Sequence, residues 1–461
     1  MKFLDTAFEK FSSKKPVSVM VRATIENTLS ASRLNQLFDD HAQEQYTGDL
    51  LFSTVADLMG EVVLNIQPSI NSAWRERKQE TGVTVKSVYD KLKGIETGVS
   101  RALVRDTAVR MTAIIKQLGC LPEPLVQGYR TKIVDGNHLR RTDRRIGELR
   151  ERNVAPLPGK SLVVLDPQLR LAIDVLPCED GHAQERSLLG ELLQTVERDD
   201  MWMGDRNFCT VDYLFGIARR NAKFVIRQHG NLRYELMGRR RLIGETETGR
   251  VYEQAMSVTN SEGETLVFRR IEIQLHEPTR DGDEVVYLVT NLPQRISALT
   301  IADLYRNRWS IETAFQEMAE NLEGEIQTLG YPKAALFGFC MALVSFNLMS
   351  VIRAAVGSRH GEEAAETFSM YYACNEVSQT SEGMSVVLPS AFWQTRYGSL
   401  TPSQMATELR RLAGNIDLRK YRKNPWKKKS KPPGKPKKGR RHASTFKILK
   451  EARNKQMIAQ K

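Results

Sequence analysis

Three acidic residues lie where strands and a helix can bring them together: Asp135 in Val134-Asp135-Gly136-Asn137, Asp205 in Gly204-Asp205-Arg206-Asn207-Phe208, and Glu312 in a helical run. Gly136 and Gly204 allow close backbone approach, and both aspartates sit where apolar runs end. Carboxylates gathered from separate elements are candidates for catalysis, whereas a single strand-end Asp more often closes a turn or caps a helix. Glu312 belongs to the strongest local pattern. Tyr305, Arg308 and Glu312 are spaced i, i+3, i+7, so a phenol, a guanidinium and a carboxylate share one helical face, with Leu304, Trp309, Ile311 and Phe315 at other angles to anchor it. Taken alone, that face is also what an amphipathic helix with a weak surface Arg–Glu pair would show. His138, three residues after Asp135, is most simply a hydrogen-bonded structural histidine.

These groups need elements to position them. Residues 1–120 read as helical, with apolar residues at helical spacing around 50–59 and 88–115. Within this part, 87–95 followed by Thr97-Gly98-Val99-Ser100 has the form of a helix-turn-helix, able either to read DNA or simply to pack. From Lys132 the pattern changes to short apolar runs: strands at 131–134, 161–165 and 171–175, a helix over 185–196, a strand at 201–204 and a helix over 211–220. Strands then alternating with helices indicate a mixed α/β core. Runs at 223–227, 251–256, 265–275 and 284–290 read as a β-rich insertion, and helix signals return at Ile301 and dominate to 352.

At 461 residues, 41% hydrophobic and 27% charged, the chain can bury a large core in two or three domains, which excludes wholesale disorder. The net charge of +13 has a single source. Residues 419–441 hold 13 basic residues and no acid, leaving the remainder balanced. Such a segment neutralises phosphates with little sequence preference, and Lys427, Lys428 and Lys429 beside Trp426 are its densest part. The five cysteines form no close pair, which suits a reducing cytoplasm and indicates neither a disulfide framework nor a thiolate zinc site. Charges interrupt the N-terminal apolar residues, unlike a signal peptide. Residues 334–352 carry no charge and reach the length of a membrane span, but Gly338, Ser345, Asn347 and Ser350 interrupt them, so a buried helix of a soluble protein is expected and no membrane partner. No GxxxxGK[ST] loop supports ATP-driven translocation.

Tyr305-x-x-Arg308-x-x-x-Glu312 within YRNRWSIETAF, with VDGN around Asp135 and GDRNF around Asp205, resembles the bacterial DDE transposases of the insertion-sequence-four group. The likeness runs from about residue 131 to 352 and includes VTNLP at 289–293. It implies an α/β, ribonuclease H-like mixed-sheet core with a β-rich insertion, preceded by a helical N-terminal domain. The expected division is a DNA-binding domain over 1–120, a catalytic core over 121–222 and 299–400, an insertion over 223–298 and a basic tail over 401–461.

The resemblance further implies that Asp135, Asp205 and Glu312 hold two divalent ions, normally magnesium, with manganese able to replace it. Two ions roughly 3.5–4 Å apart would activate the attacking oxygen and stabilise the leaving one in phosphodiester chemistry. Oxygen ligands favour these hard cations. Arg308 and Tyr305 would hold DNA phosphates nearby. The sequence departs from the family pattern in two places. A Lys expected seven positions after the Glu is Ala319 here, so that phosphate contact is either missing or supplied elsewhere, with Lys333 the candidate. The insertion lacks the Trp that many relatives use to hold a flipped base, leaving Tyr252, Phe268 or Tyr287.

The function expected from this resemblance is a cytoplasmic, nucleoid-associated DNA transposase that binds terminal inverted repeats in double-stranded DNA, cuts there and joins 3′-hydroxyls to target DNA as a dimer. The alternatives are a non-catalytic DNA-binding derivative, suggested by Ala319, and a metal-dependent nuclease without a joining step.

Overall fold

The structure is a computed structural model and describes residues 2–139, 146–149, 156–279, 282–423 and 443–459. Its strands are β1 (Arg130–Leu139), β2 (Pro156–Leu157), β3 (Gly159–Asp166), β4 (Leu171–Cys178), β5 (Asp200–Gly204), β6 (Lys223–Arg227), β7 (Glu235–Thr246), β8 (Gly249–Thr259), β9 (Thr265–Leu275), β10 (Val285–Thr290) and β11 (Ala443–Ser444). Nine of them form one mixed sheet in the order β4-β3-β1-β5-β6-β10-β9-β8-β7, while β11 pairs with β2. β1 runs antiparallel to β3 and parallel to β5, and β5 runs parallel to β6. The chain is thus mixed α/β, with a large mixed sheet and a helical N-terminal region.

The central strands are apolar on both faces because both faces are covered. Ile133, Val163, Leu165, Met201 and Met203 join a core shared with the N-terminal helices and the helix Pro332–His360. Alternate residues Val134, Leu162, Val164 and Trp202 face a second core with Phe208, Tyr213 and Phe224. The helix Pro332–His360 is long and apolar enough to cross a membrane, but its most apolar window is wholly buried inside the fold. Its polar interruptions have partners. Asn347 Oδ1 accepts the Ala172 N–H at 2.8 Å and its Nδ2 donates to the Ala172 carbonyl at 2.8 Å, closing the outer edge of β4. Ser350 Oγ donates to the Arg170 carbonyl at 2.7 Å.

Several expectations change. The residues expected as an insertion do not form a separate sheet. β6 pairs with core strand β5, and β10, β9, β8 and β7 extend the same sheet. β7 escapes sequence detection because Gly238-Arg239-Arg240-Arg241 breaks apolar alternation; it is an exposed edge strand, where charge is tolerated and discourages further pairing. The expected helix over 185–196 is a 3-10 turn Glu185–Leu188 and a short helix Leu189–Leu193. The helix expected from Ile301 is two helices, Ala298–Arg306 and Trp309–Asn321, broken at Asn307 and Arg308.

The residues read as a helix-turn-helix are packed into the fold. The second helix, Thr97–Leu118, buries Val99 and Ser100 at the positions that would enter a groove, and Arg101 is paired to Asp174 at 2.9 Å. Its N-cap is Glu96, whose carboxylate accepts the N–H groups of Gln43, Glu44 and Gln45. The region expected as a tail from 401 begins with the helix Pro402–Ala413, whose Met405, Leu409 and Leu412 are buried in the main core.

Replacing Asn347 with Leu removes both partners of Ala172 at the edge of β4. Each buried backbone group left unpaired costs about 1–3 kcal/mol. Asn347→Leu should therefore lower the unfolding free energy by roughly 2–4 kcal/mol in a urea titration; a change below about 0.5 kcal/mol, the size of a neutral surface substitution, would refute this role.

Candidate functional site

The parallel pairing of β1 with β5 ends at Ile133 matched to Met203, two residues before Asp135 and Asp205 respectively. Neighbouring strands lie about 4.8 Å apart, so the pairing runs the segments that carry the two aspartates next to each other. Asp135 is not at a strand end as expected, because β1 continues to Leu139, whereas Asp205 directly follows β5. Both share the side-chain parity of Ile133 and Met203 and therefore face the larger, helix-covered core.

Each aspartate is fixed by a local amide. Asp135 Oδ1 accepts the Gly136 N–H at 2.8 Å. Asp205 caps the 3-10 turn Arg206–Phe208, with Oδ1 accepting the Asn207 N–H at 2.8 Å. Glu312 lies in the first turn of Trp309–Asn321. Arg308 joins the carboxylates: one terminal nitrogen lies 3.5 Å from Asp135 Oδ2 and the other donates to Glu312 Oε1 at 2.6 Å. Its side chain is 12% exposed, and its guanidinium lies 5.8 Å from the Tyr305 ring centroid. The break between the two helices makes this placement possible, since it puts Arg308 at the entrance of the helix that carries Glu312.

Burial pushes the Asp135 carboxyl up to about 6; Arg308 and the Gly136 amide oppose the rise, and Asp205 and Glu312 reinforce it. Burial also raises Asp205, against the Asn207 amide and Arg308, with Glu185 adding to the rise. The Tyr305 phenol is pushed by burial up to about 12, against the nearby charges of Arg308 and Arg227. Burial works against the Arg308 charge, but Tyr305, Glu312 and Asp135 outweigh it and raise its pKa.

The donor set is all oxygen, which suits a hard divalent cation. Among the described residues, however, no three His, Cys, Asp or Glu side chains stand close enough together to hold a metal ion. Arg308 provides the positive charge between Asp135 and Glu312, so an ion entering there requires Glu312 to leave the guanidinium.

Other candidate residues lie elsewhere. Lys333 begins the helix Pro332–His360 and is paired with Glu44 at 3.1 Å. Ala319 lines a void of about 50 Å³ with Asn137, Phe315 and Met318. Phe268 is buried against Phe215 and Phe224 and is not available to a ligand. Tyr252 is covered by Arg240 at 3.5 Å and Tyr287 by Arg270 at 3.8 Å. Lys427, Lys428, Lys429 and Trp426 lie outside the described residues. Sequence reading missed Glu185, whose Oε2 accepts from Asn207 Nδ2 at 3.2 Å. Glu185 follows Glu179 and Asp180 in a polar connection, and no spacing distinguishes it from them.

The raised Asp135 pKa has a consequence for stability. The folded carboxyl binds a proton below about 6, and the unfolded one only below its ordinary value of 3.8, so ionisation above about 6 costs the fold roughly 2–3 kcal/mol. In metal-free buffer, Asp135→Asn should be the more stable protein at pH 7 to 8, and its advantage should fade as pH drops toward 4. Thermal unfolding across this range checks the prediction, and an advantage that grows at low pH would contradict it.

Residues 127–344 match the family profile described as the transposase DDE domain, a span containing Asp135, Asp205, Tyr305, Arg308, Glu312 and Lys333. The chain is 28% identical over 132 residues to y4zB, a Sinorhizobium fredii protein whose name marks it as a presumed transposase; the match covers 28% of this chain and 35% of that protein. Among solved structures it is similar to a piggyBac transposase in a cryo-EM synaptic complex with hairpin DNA. That superposition has a TM-score of 0.38 and 11% identity over 89% of this chain and 85% of the other.

Proposed function

We propose that this chain is a DNA transposase of the insertion-sequence-four type, with a ribonuclease H-like core that binds the ends of its element, cleaves them and transfers the 3′-hydroxyls to target DNA. The observation that carries this reading is the parallel pairing of β1 and β5 up to Ile133 and Met203, two residues short of Asp135 and Asp205, together with Arg308 ion-paired to both Asp135 and Glu312. The antiparallel strands β4-β3-β1, continued by parallel β5 and β6, support a ribonuclease H-like core. The transposase DDE match over 127–344 supports the reaction class.

Asp135, Asp205 and Glu312 would hold divalent ions, magnesium with manganese as a substitute; the ions would supply an activated oxygen nucleophile and neutralise charge on the leaving oxygen. The protein's own groups prepare that site. The Gly136 and Asn207 amides each engage one oxygen of their aspartate and fix its orientation. Arg308, freed from Glu312, would present its guanidinium to a DNA phosphate, and the Tyr305 phenol, protonated at neutral pH, would donate a hydrogen bond beside it. The basic segment 419–441 would add salt-sensitive affinity for DNA. Joining two ends calls for at least two protomers, and a reaction on genomic DNA would place the protein in the cytoplasm at the nucleoid.

The test uses duplexes from the DNA flanking the gene, magnesium or manganese, and the wild type beside Asp205→Ala. Excision and joining by the wild type, lost in Asp205→Ala with DNA binding retained, is the expected result. Cleavage without joined product would make the protein a nuclease, and salt-sensitive binding without cleavage under either metal would make it a non-catalytic DNA-binding protein.

A further inference from the structure

Glu185 approaches the site from the reverse side of the sheet. Gly136 has the side-chain parity of Val134, which faces the second core, while Asp135 has that of Ile133 and faces the first. A Cβ at position 136 would overlap the Glu185 carboxylate, coming within 2.6 Å of its Cδ, so the absence of a side chain there is what admits Glu185. The Glu185 side chain is 14% exposed, and Lys160, on the neighbouring strand β3, lies 3.9 Å from its Oε1. Its other oxygen accepts from Asn207 Nδ2 at 3.2 Å. The backbone N–H of the same Asn207 caps Asp205 at 2.8 Å. Arg186, the next residue, donates to the Asn207 carbonyl at 3.2 Å. One carboxylate therefore lies over the space left by the missing side chain of Gly136, the residue after Asp135, and accepts from the side chain of Asn207, whose N–H caps Asp205.

We infer that Glu185 is a positioning residue that clamps the two aspartate-bearing segments into register through Gly136 and Asn207. This rests on the proposed metal-dependent function, and the clamp itself has a signature independent of catalysis. Removing the Glu185 carboxylate frees the Asn207 side chain and lets the Asp205 turn drift relative to β1. The cost then falls on ion binding rather than on the fold, because neither aspartate leaves its own element. Gly136→Ala acts on the same contact sterically: its Cβ would overlap the Glu185 carboxylate and strain the fold for as long as that carboxylate is present.

The full-length protein tests this with Glu185→Ala, Glu185→Gln, Gly136→Ala and the Gly136→Ala/Glu185→Ala double variant. Manganese binding is followed by the loss of the free Mn2+ signal in electron paramagnetic resonance. Groups that orient metal ligands typically change affinity about 10–100-fold when removed. Glu185→Ala should weaken Mn2+ binding at least about ten-fold at nearly unchanged melting temperature. Glu185→Gln, whose amide oxygen still accepts from Asn207, should recover most of that loss. In unfolding experiments Gly136→Ala should destabilise the wild-type background and have little effect in the Glu185→Ala background. Wild-type Mn2+ affinity in Glu185→Ala would overturn the clamp, as would additive effects of the two substitutions on stability. If the wild type binds no Mn2+ and cleaves no DNA, the proposed function fails, and the unfolding cycle alone decides the clamp.

Discussion

Two half-buried aspartates carried by neighbouring segments, with a glutamate close to one of them, repel one another when ionised unless a positive charge stands among them. Arg308 provides that charge here. Much of the nearby architecture follows from this requirement. The helical run must break at Asn307 and Arg308 so that a guanidinium enters between Asp135 and Glu312, and the aspartates must be tied to their own amides so that they do not turn away.

The rigidity behind the site comes from burial on both faces of the sheet. The helix Pro332–His360 lies against the core strands and the N-terminal helices, and it is apolar almost all round because nearly all of it is buried. Its polar residues are not imperfections in that pattern. Asn347 supplies Ala172 with the donor and acceptor that a tenth strand would have supplied, so the β4 edge closes without further pairing. The opposite edge, β7, is kept apart by charge instead: Arg239, Arg240 and Arg241 are exposed, and Arg240 is held over Tyr252 and against Glu272. One edge is protected by a side-chain amide and the other by cations, which leaves the site-bearing strands in the protected interior of the sheet.

The arginines of β7 and β9 also show where charge resides outside the basic segment at 419–441. Arg269 is buried with Glu253 at 2.6 Å and donates to three backbone carbonyls after β10, fixing the return of the chain to the helix Ala298–Arg306. Arg270 instead stacks on Tyr287. These side chains serve the sheet first, and their partners, not their number, set how much charge remains for a phosphate.

What was legible in the linear sequence depends on local pattern. The apolar run ending at Asp205 and the segregation of 13 cations at 419–441 need no long-range information, whereas the single helical face read for Tyr305, Arg308 and Glu312 is divided between two helices. The mixed α/β class followed from the same periodicities. What remained hidden depends on partners distant in the chain. β7 is a strand because β8 offers it an edge, although Gly238-Arg239-Arg240-Arg241 has no strand pattern. Lys333 pairs with Glu44 and not with the site, because a charge near the start of the chain is placed beside it. Thr97–Leu118 packs where a DNA-reading helix was equally permitted, since exposure of a helix face is decided by its neighbours. Glu185 is one acid among several until the sheet sets it behind Gly136. Residue spacing determines which groups share an element and a face; only the tertiary pairing of β1 with β5 decides which elements meet, because strand register is set by burial of both faces and not by the strand's own residues.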